Sequence, residues 1–313
     1  MGRVIGMILL GAGAFLVALA GLVRFQVADR LIAAPVDQYS ITKLSAQDAR
    51  YFSKQDLKVM NGDLDITVTT RGDVAGSKAD DVVWDQFTSV TDVTNDRPRF
   101  DMSEFRSAFN KYTGTAVNCC GASIDKEPVS LAGQIYLFPF GAEKKTYQVF
   151  NSSAGKAFDA SFDGEDTIDG LAVYRYVQQV PPTKTQTLTA PASAMGMDET
   201  GDVQVERWYD GTSTYWVEPV SGIPVKQEHR RHEVLKTADG VERKPALIAT
   251  AVYTPETVAD LVKQADDTRR QIGLVQTVIP VVLLVVGLLA MIVGIVLIFR
   301  NPPRGRRGSA TAS

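Results

Sequence analysis

Apolar positions change their rhythm twice along this chain. Residues 4–23 form a twenty-residue run without charge, flanked by Arg3 and Arg24. Residues 272–299 form a second uncharged run of 28, almost purely aliphatic from Val278 onward. A membrane-spanning helix needs ~20 apolar residues at about 1.5 Å each, so both runs are long enough to cross a bilayer. Between them the pattern shortens to a period of two. Leu64, Ile66 and Val68 share one face of an extended stretch, and Asp65, Thr67 and Thr69 the other. β-Branched and aromatic residues predict further strands at 81–90, 134–140, 146–150, 171–177, 203–209, 214–220, 225–234 and 246–253. Turn signals punctuate them at Asp163-Gly164, Asp169-Gly170, Pro181-Pro182, Asp210-Gly211, Ser221-Gly222 and Asp239-Gly240. The expected fold is a β-dominated α+β domain, an antiparallel sheet, sandwich or barrel, set between two transmembrane helices.

Three stretches depart from the alternation. Residues 134–140 are apolar on both faces, which predicts a strand covered on both sides or bordering an internal cavity. Residues 181–201, rich in Thr, Pro, Ala and Ser, predict a long exposed loop, and residues 31–57 are too mixed to assign. Residues 254–270 predict a helix with Thr254 as N-cap, Pro255 at the first helical position and Glu256 against the positive end of the dipole. Val258, Leu261, Val262 and Ala265 form its apolar stripe. It is expected to run into the second apolar run through Gln271 and Gly273, with a kink at Pro280.

Charge orients the chain. Arg300, Arg304, Arg306 and Arg307 follow the second run, and the positive-inside rule keeps such a tail in the cytoplasm. Ala18-Leu19-Ala20 fits a signal-peptidase pattern, but the apolar run continues through Gly21-Leu22-Val23, which favours a retained anchor. The expected organisation is a cytoplasmic N-terminus at 1–3, a signal anchor at 4–24, a β-rich extracytoplasmic domain at 25–253, a juxtamembrane helix at 254–271, a transmembrane helix at 272–299 and a basic cytoplasmic tail at 300–313. Small residues four apart, such as Gly2 and Gly6, Ala14 and Ala18, or Ala290 and Gly294, predict close helix approach. The middle holds all 36 acidic residues and 27 of the 33 basic ones, a balance of −9. That excludes nucleic acid as a partner and broad adhesion to anionic lipid heads.

Candidate chemistry is sparse. The two histidines, His229 and His232, fall in a charged stretch read as a strand, where odd spacing puts them on opposite faces and separates them from a shared metal. Asp159, Asp163, Glu165, Asp166 and Asp169 lack the spacing of a calcium loop and read as solvated turns. Arg71-Gly72-Asp73 reads as a turn, and Asn151-Ser152-Ser153 matches a glycosylation tripeptide. No nucleophile elbow, zinc-protease motif or phosphate-binding glycine loop is present, so no catalytic, cofactor-binding or metal-binding residue is assigned. Cys119 and Cys120 are the only cysteines, and they are adjacent. In an oxidising location they are open to a vicinal disulfide, to burial as two thiols, or to pairing with another chain. A vicinal bond works against geometry, since adjacent Cα atoms lie ~3.8 Å apart and disulfides prefer ~4.4–6.8 Å.

Several stretches resemble a known family: Tyr136-Leu137-Phe138-Pro139-Phe140-Gly141 with Glu143-Lys144-Lys145-Thr146-Tyr147, the run from Asp166-Thr167-Ile168-Asp169-Gly170 through Leu171-Ala172-Val173-Tyr174-Arg175-Tyr176, and Trp216-Val217-Glu218-Pro219-Val220-Ser221-Gly222. With the two end helices, they are similar to the actinobacterial two-span envelope proteins labelled the porin PorA family. The resemblance implies a mycobacterial or corynebacterial type of host and a part in building its lipid-rich envelope, including maturation of lipomannan and lipoarabinomannan. The architecture is also similar to class B scavenger receptors, in which two terminal helices flank a β-rich domain with a lipid tunnel. A pore is not expected from two helices alone, and the strands lack a repeated lipid-facing alternation. The expected function is binding of a lipid or lipoglycan precursor outside the membrane. The alternatives are a scaffold for envelope-biosynthesis enzymes and a glycan-processing enzyme with paired carboxylates.

Overall fold

A computed structural model describes residues 2–27 and 32–300. Arg304, Arg306 and Arg307 of the basic tail lie outside the described residues. The chain forms two compact units, one from the two terminal segments and one from Ala33–Arg269.

In the terminal unit, helix α1 spans Gly2–Leu22 and helix α3 spans Ile279–Arg300. The buried positions are Gly6, Gly13 and Ala20 on α1, and Pro280, Gly287 and Gly294 on α3. The contact face therefore repeats every seven residues, not every four as expected. Ala14 and Ala18 are exposed, away from the seam. A Cβ on Gly6 would lie 2.8 Å from the Gly294 carbonyl oxygen, so the helices run antiparallel with backbones almost touching.

The larger unit is one antiparallel sheet of twelve strands. The first meander runs through β1 Tyr39–Ser53, β2 Lys58–Gly72, β3 Asp81–Asp92, β4 Arg97–Asn110, β5 Ser123–Ile124 and β6 Glu127–Pro128. The second runs through β7 Tyr147–Asn151, β8 Lys156–Ile168, β9 Leu171–Pro191, β10 Asp202–Val217, β11 Pro224–Thr237 and β12 Glu242–Tyr253. β1 pairs with β12, so the two meanders join at the centre and the sheet curls into a half-barrel.

The remote edges of this sheet meet at one residue. Gln134 bridges Thr115 on one side and Val149 on the other. Around it, Ala116 N–H donates to Gly133 O at 2.8 Å, and Phe150 N–H donates to Gln134 O at 3.0 Å. This corrects the strand expected at 134–140. Gln134 alone makes ladder contacts, and Tyr136 adopts φ 60°, which ends any extended run. The double-sided burial is nonetheless present. Ile135 and Leu131 pack with Trp84, Phe105, Phe109 and Phe150, whereas Phe138 packs with Tyr176, Tyr215 and Val217. The segment is a plug between two apolar clusters.

Other departures have local causes. The strands expected at 203–209 and 214–220 are one strand, β10, and the Asp210-Gly211 signal is a register slip against β9. The loop expected from 181 to 201 is largely strand, because β9 continues to Pro191. Pro181 and Pro182 sit opposite that slip, where a missing N–H costs little. Asp163-Gly164 likewise marks a slip within β8 rather than a turn.

Helix α2 spans Pro255–Gly273. The Thr254 hydroxyl accepts the Thr257 N–H at 3.3 Å, the expected cap. Leu261, Val262 and Ala265 pack with Leu171, Val173, Ile223 and Val225.

Candidate functional site

Pairing register decides which side chains share a face. Across β10 and β11, Tyr209 opposes Glu233, Gly211 opposes Arg231, Ser213 opposes His229 and Tyr215 opposes Gln227. Tyr209, Ser213 and Tyr215 are buried, so this set faces into the curl. The ladder continues inward through Leu247, Ala249 and Ala251 on β12, and through Tyr51 and Leu44 on β1. Beyond them come Met60, Ile66 and Val68 on β2, Thr88 and Val90 on β3, and Asp101 and Ser103 on β4.

This inner surface is not filled. Met60, Ile66, Val68, Thr88, Val90, Gln227, His229, Arg231 and Tyr253 are only half-buried, and Asp101 and Ser103 are exposed. Inward side chains of a packed barrel touch across the middle. Here Tyr51 of β1 stacks on Phe100 of β4 at 4.4 Å, and the other inward side chains are left only partly covered, a hollow with mixed lining. Beside it Met195, carried on the 3-10 turn Ala192–Met195, packs with Val205, Leu235 and Phe52. On β4, β5 pairs only with Phe105 and Arg106, so Asp101 and Ser103 lie on an uncovered rim.

A charged group sits in this lining. The Glu233 carboxylate, 3% exposed, accepts the Arg207 Nε–H at 2.7 Å and the Arg231 Nε–H and Nη2–H at 2.9 and 2.5 Å. Burial opposes the charged carboxylate, but the Arg231 and Arg207 charges outweigh it and hold Glu233 below the usual carboxylate range. Burial also opposes the charge on Arg231, and Glu233 reverses that. His229 contacts Ser213 Oγ at 2.9 Å and Gln227 Oε1 at 3.0 Å. Burial, reinforced by Arg231, pushes its imidazole down to about 4, so it is neutral at neutral pH.

A second polar network fixes the neighbouring wall. Gln178, fully buried, donates from Nε2 to Val149 O at 2.7 Å and Phe158 O at 3.1 Å. Its Oε1 accepts from Asn151 Nδ2 at 3.3 Å and from the Tyr215 hydroxyl at 3.4 Å. One side chain thus ties β7, β8 and β10 to β9.

The residues singled out in the sequence are scattered. His229 and His232 do lie on opposite faces, and His232 pairs outward with Asp210 at 2.9 Å. Asp163 pairs with Arg175, Glu165 with Lys144, and Asp166 accepts the Trp216 indole N–H, so Asp159, Asp163, Glu165 and Asp166 lie on β8, and only Asp169 sits in the expected turn. Asn151 is buried and fully engaged, which removes its tripeptide from reach of glycosylation. Arg71 and Gly72 end β2, and a Cβ on Gly72 would lie 2.1 Å from Val36 O, so the Arg-Gly-Asp sequence is not a projecting loop. Cys119 and Cys120 lie side by side between β4 and β5 with their sulfurs within bonding reach. The Arg106 Nε–H donates to Cys120 O at 2.9 Å. The Arg207–Glu233–Arg231 group was missed, because the stretch from Glu228 to Glu233 reads as uniformly charged and solvated. Its odd-numbered members turn inward, and strand parity was the signal.

A family model described as Porin PorA matches residues 5–296. The chain belongs to the PorA porin family. A protein named Porin PorA from Corynebacterium amycolatum is 25% identical over 242 residues, covering 64% of this chain and 63% of that relative. Another of that name, from Corynebacterium resistens, is 22% identical over 246 residues, covering 58% and 60%. The chain thus aligns with less than two thirds of the length of these relatives. Among the described residues of this PorA-family chain, two helices are long and apolar enough to cross a membrane, Gly2–Gln26 and Pro255–Arg300. Together with the family, they point to a membrane protein. β11 does not supply a lipid-facing wall. β11 turns Lys226, Glu228, Arg230 and His232 to the face opposite the hollow, where a transmembrane barrel carries apolar residues.

Proposed function

We propose that this protein is held in the plasma membrane by α1 and α3, with both termini cytoplasmic and the sheet domain outside. Its hollow receives a lipid or lipoglycan precursor during assembly of a lipid-rich envelope. The observation that carries this reading is the unfilled inner surface. Met60, Ile66, Val68, Val90 and Tyr253 turn apolar surface inward and are only partly buried by protein. Ligand sites are concave and mostly apolar, with a few placed polar groups. The relatives' name describes no catalysis, and no acidic pair stands free in the lining, which favours binding over glycan processing. In the oxidising space outside the membrane, Cys119 and Cys120 form a vicinal disulfide that stiffens the loop after β4.

The test is mass spectrometry of organic extracts from the full-length protein purified in detergent. A stoichiometric amphiphile is expected in the wild type. Val68→Trp, which projects a large ring into the hollow from β2, is expected to remove it. Equal lipid in both proteins, or none in the wild type, would overturn the reading.

A further inference from the structure

We propose that the hollow selects an amphiphile bearing an anionic phosphate or carboxylate, and that Arg231 is the group that reads it. This rests on the lipid-binding reading above and names the ligand class for that site.

Charge and free donors carry the inference. Within the lining, two guanidiniums share one carboxylate, because Arg207 and Arg231 both bond to Glu233. The balance of these three side chains is one positive charge, and neutral His229 does not alter it. Asp92, also inward, is committed to the Tyr51 hydroxyl at 2.5 Å and to Asn95. Asp101 also acts on Arg231, but it is exposed on the β4 rim, where solvent and salt screen it.

The hydrogen-bond inventory points the same way. A guanidinium has five donors in a planar fork. Arg231 spends the Nε and Nη2 side of that fork on Glu233. Among the described residues, Nη1 has no protein acceptor, and the side chain keeps 30% of its exposure. Both Glu233 oxygens already accept from arginine. Within the Arg207–Glu233–Arg231 group the open valence is therefore a donor and not a carboxylate oxygen, which fits an anion better than an ammonium. Apolar walls flank it. Ala249 opposes Arg231 on β12, and Leu247 and Tyr51 follow across the sheet. A charge-assisted hydrogen bond in such surroundings is stronger than one between neutral groups.

The experiment uses the full chain in detergent, offered dioleoylphosphatidylglycerol, oleate and dioleoylglycerol in competition, with native mass spectrometry as readout. The phosphate lipid, the carboxylate lipid, or both should be taken up at least tenfold over the neutral one, and the two arms tell which anion fits. Arg231→Gln should keep uptake of the neutral lipid and lose the preference. Arg231→Lys keeps the charge and loses the fork, so it should retain a reduced preference, and it tests the idea if the glutamine variant does not fold. Uptake of all three without preference in the wild type, or a preference unchanged in both variants, would overturn the role of Arg231. Uptake of none would instead overturn the lipid-binding reading beneath it.

Discussion

Gly13 of α1 and Gly287 of α3 leave no space between them for a side chain. A Cβ on Gly13 would lie 2.5 Å from the Gly287 carbonyl oxygen, and one on Gly287 would lie 2.8 Å from the Gly13 oxygen. Together with Gly6 and Gly294, one heptad away, they let two backbones pack with almost nothing between them. In lipid, where the hydrophobic effect does not drive association, such close packing is a main source of attraction.

Gly13→Leu should therefore force the helices apart. Overpacking of a tight contact costs roughly 1–3 kcal/mol. The melting temperature of the full chain in detergent should fall. Gly11→Leu is the control, because a Cβ there meets nothing within 4 Å. Equal melting of both variants would show that the seam contributes nothing.

Closure of the half-barrel depends on Gly133. It adopts φ 71°, and a Cβ would lie 2.5 Å from Gln148 O. Gly133→Ala should cost about 1–3 kcal/mol from left-handed backbone strain and a lost close approach. Amide exchange at Ile135 and Phe150 should quicken, since their N–H groups bond within this closure. Unchanged protection at both would refute it.

His229 imposes a pH dependence on stability. Its folded-state pKa is depressed to about 4, from 6.5 in the unfolded chain. The unfolded state therefore binds a proton first as pH falls. Stability is full above about 6.5 and declines as pH drops toward about 4, by on the order of 1–3 kcal/mol, discounted because the ring borders the hollow. Urea denaturation at pH 7 and at pH 4.5 should show a larger loss for wild type than for His229→Gln. Parallel losses would mean the ring is solvated.

Gln178→Leu removes the side chain that joins four strands. It leaves Val149 O without the Gln178 Nε2 donor and strips Asn151 and Tyr215 of an acceptor. Each buried group left unsatisfied costs about 1–3 kcal/mol. The urea midpoint should fall sharply, and a fall no larger than that of an exposed control such as Gln179→Leu would count against the network.

Much of this was legible in the chain. The period-two stretches of β2, β3 and β12 announced themselves, because one face of each meets apolar partners and the other meets water. Thr254, Pro255 and Glu256 announced the start of α2 through local chemistry alone. β4 was harder to see. Its sequence from Arg97 to Glu104 carries charges on both faces, since one face meets solvent and the other an open hollow. β9 was hidden by Pro181 and Pro182, which only the slip against β10 makes tolerable.

The sequence by itself determined two apolar end helices, a β-rich middle between them and the opposite faces of His229 and His232. Those properties follow from periodicity and local backbone preference, which act over a few residues. Only the tertiary structure decided that Gly6, Gly13, Gly287 and Gly294 form one seam, and that Gln134 joins two edges far apart in the chain. It alone decided that Arg207, Arg231 and Glu233 meet inside the curl. Each of these depends on register between distant segments, and register is set by the summed packing of whole strands and helices, which no short stretch encodes.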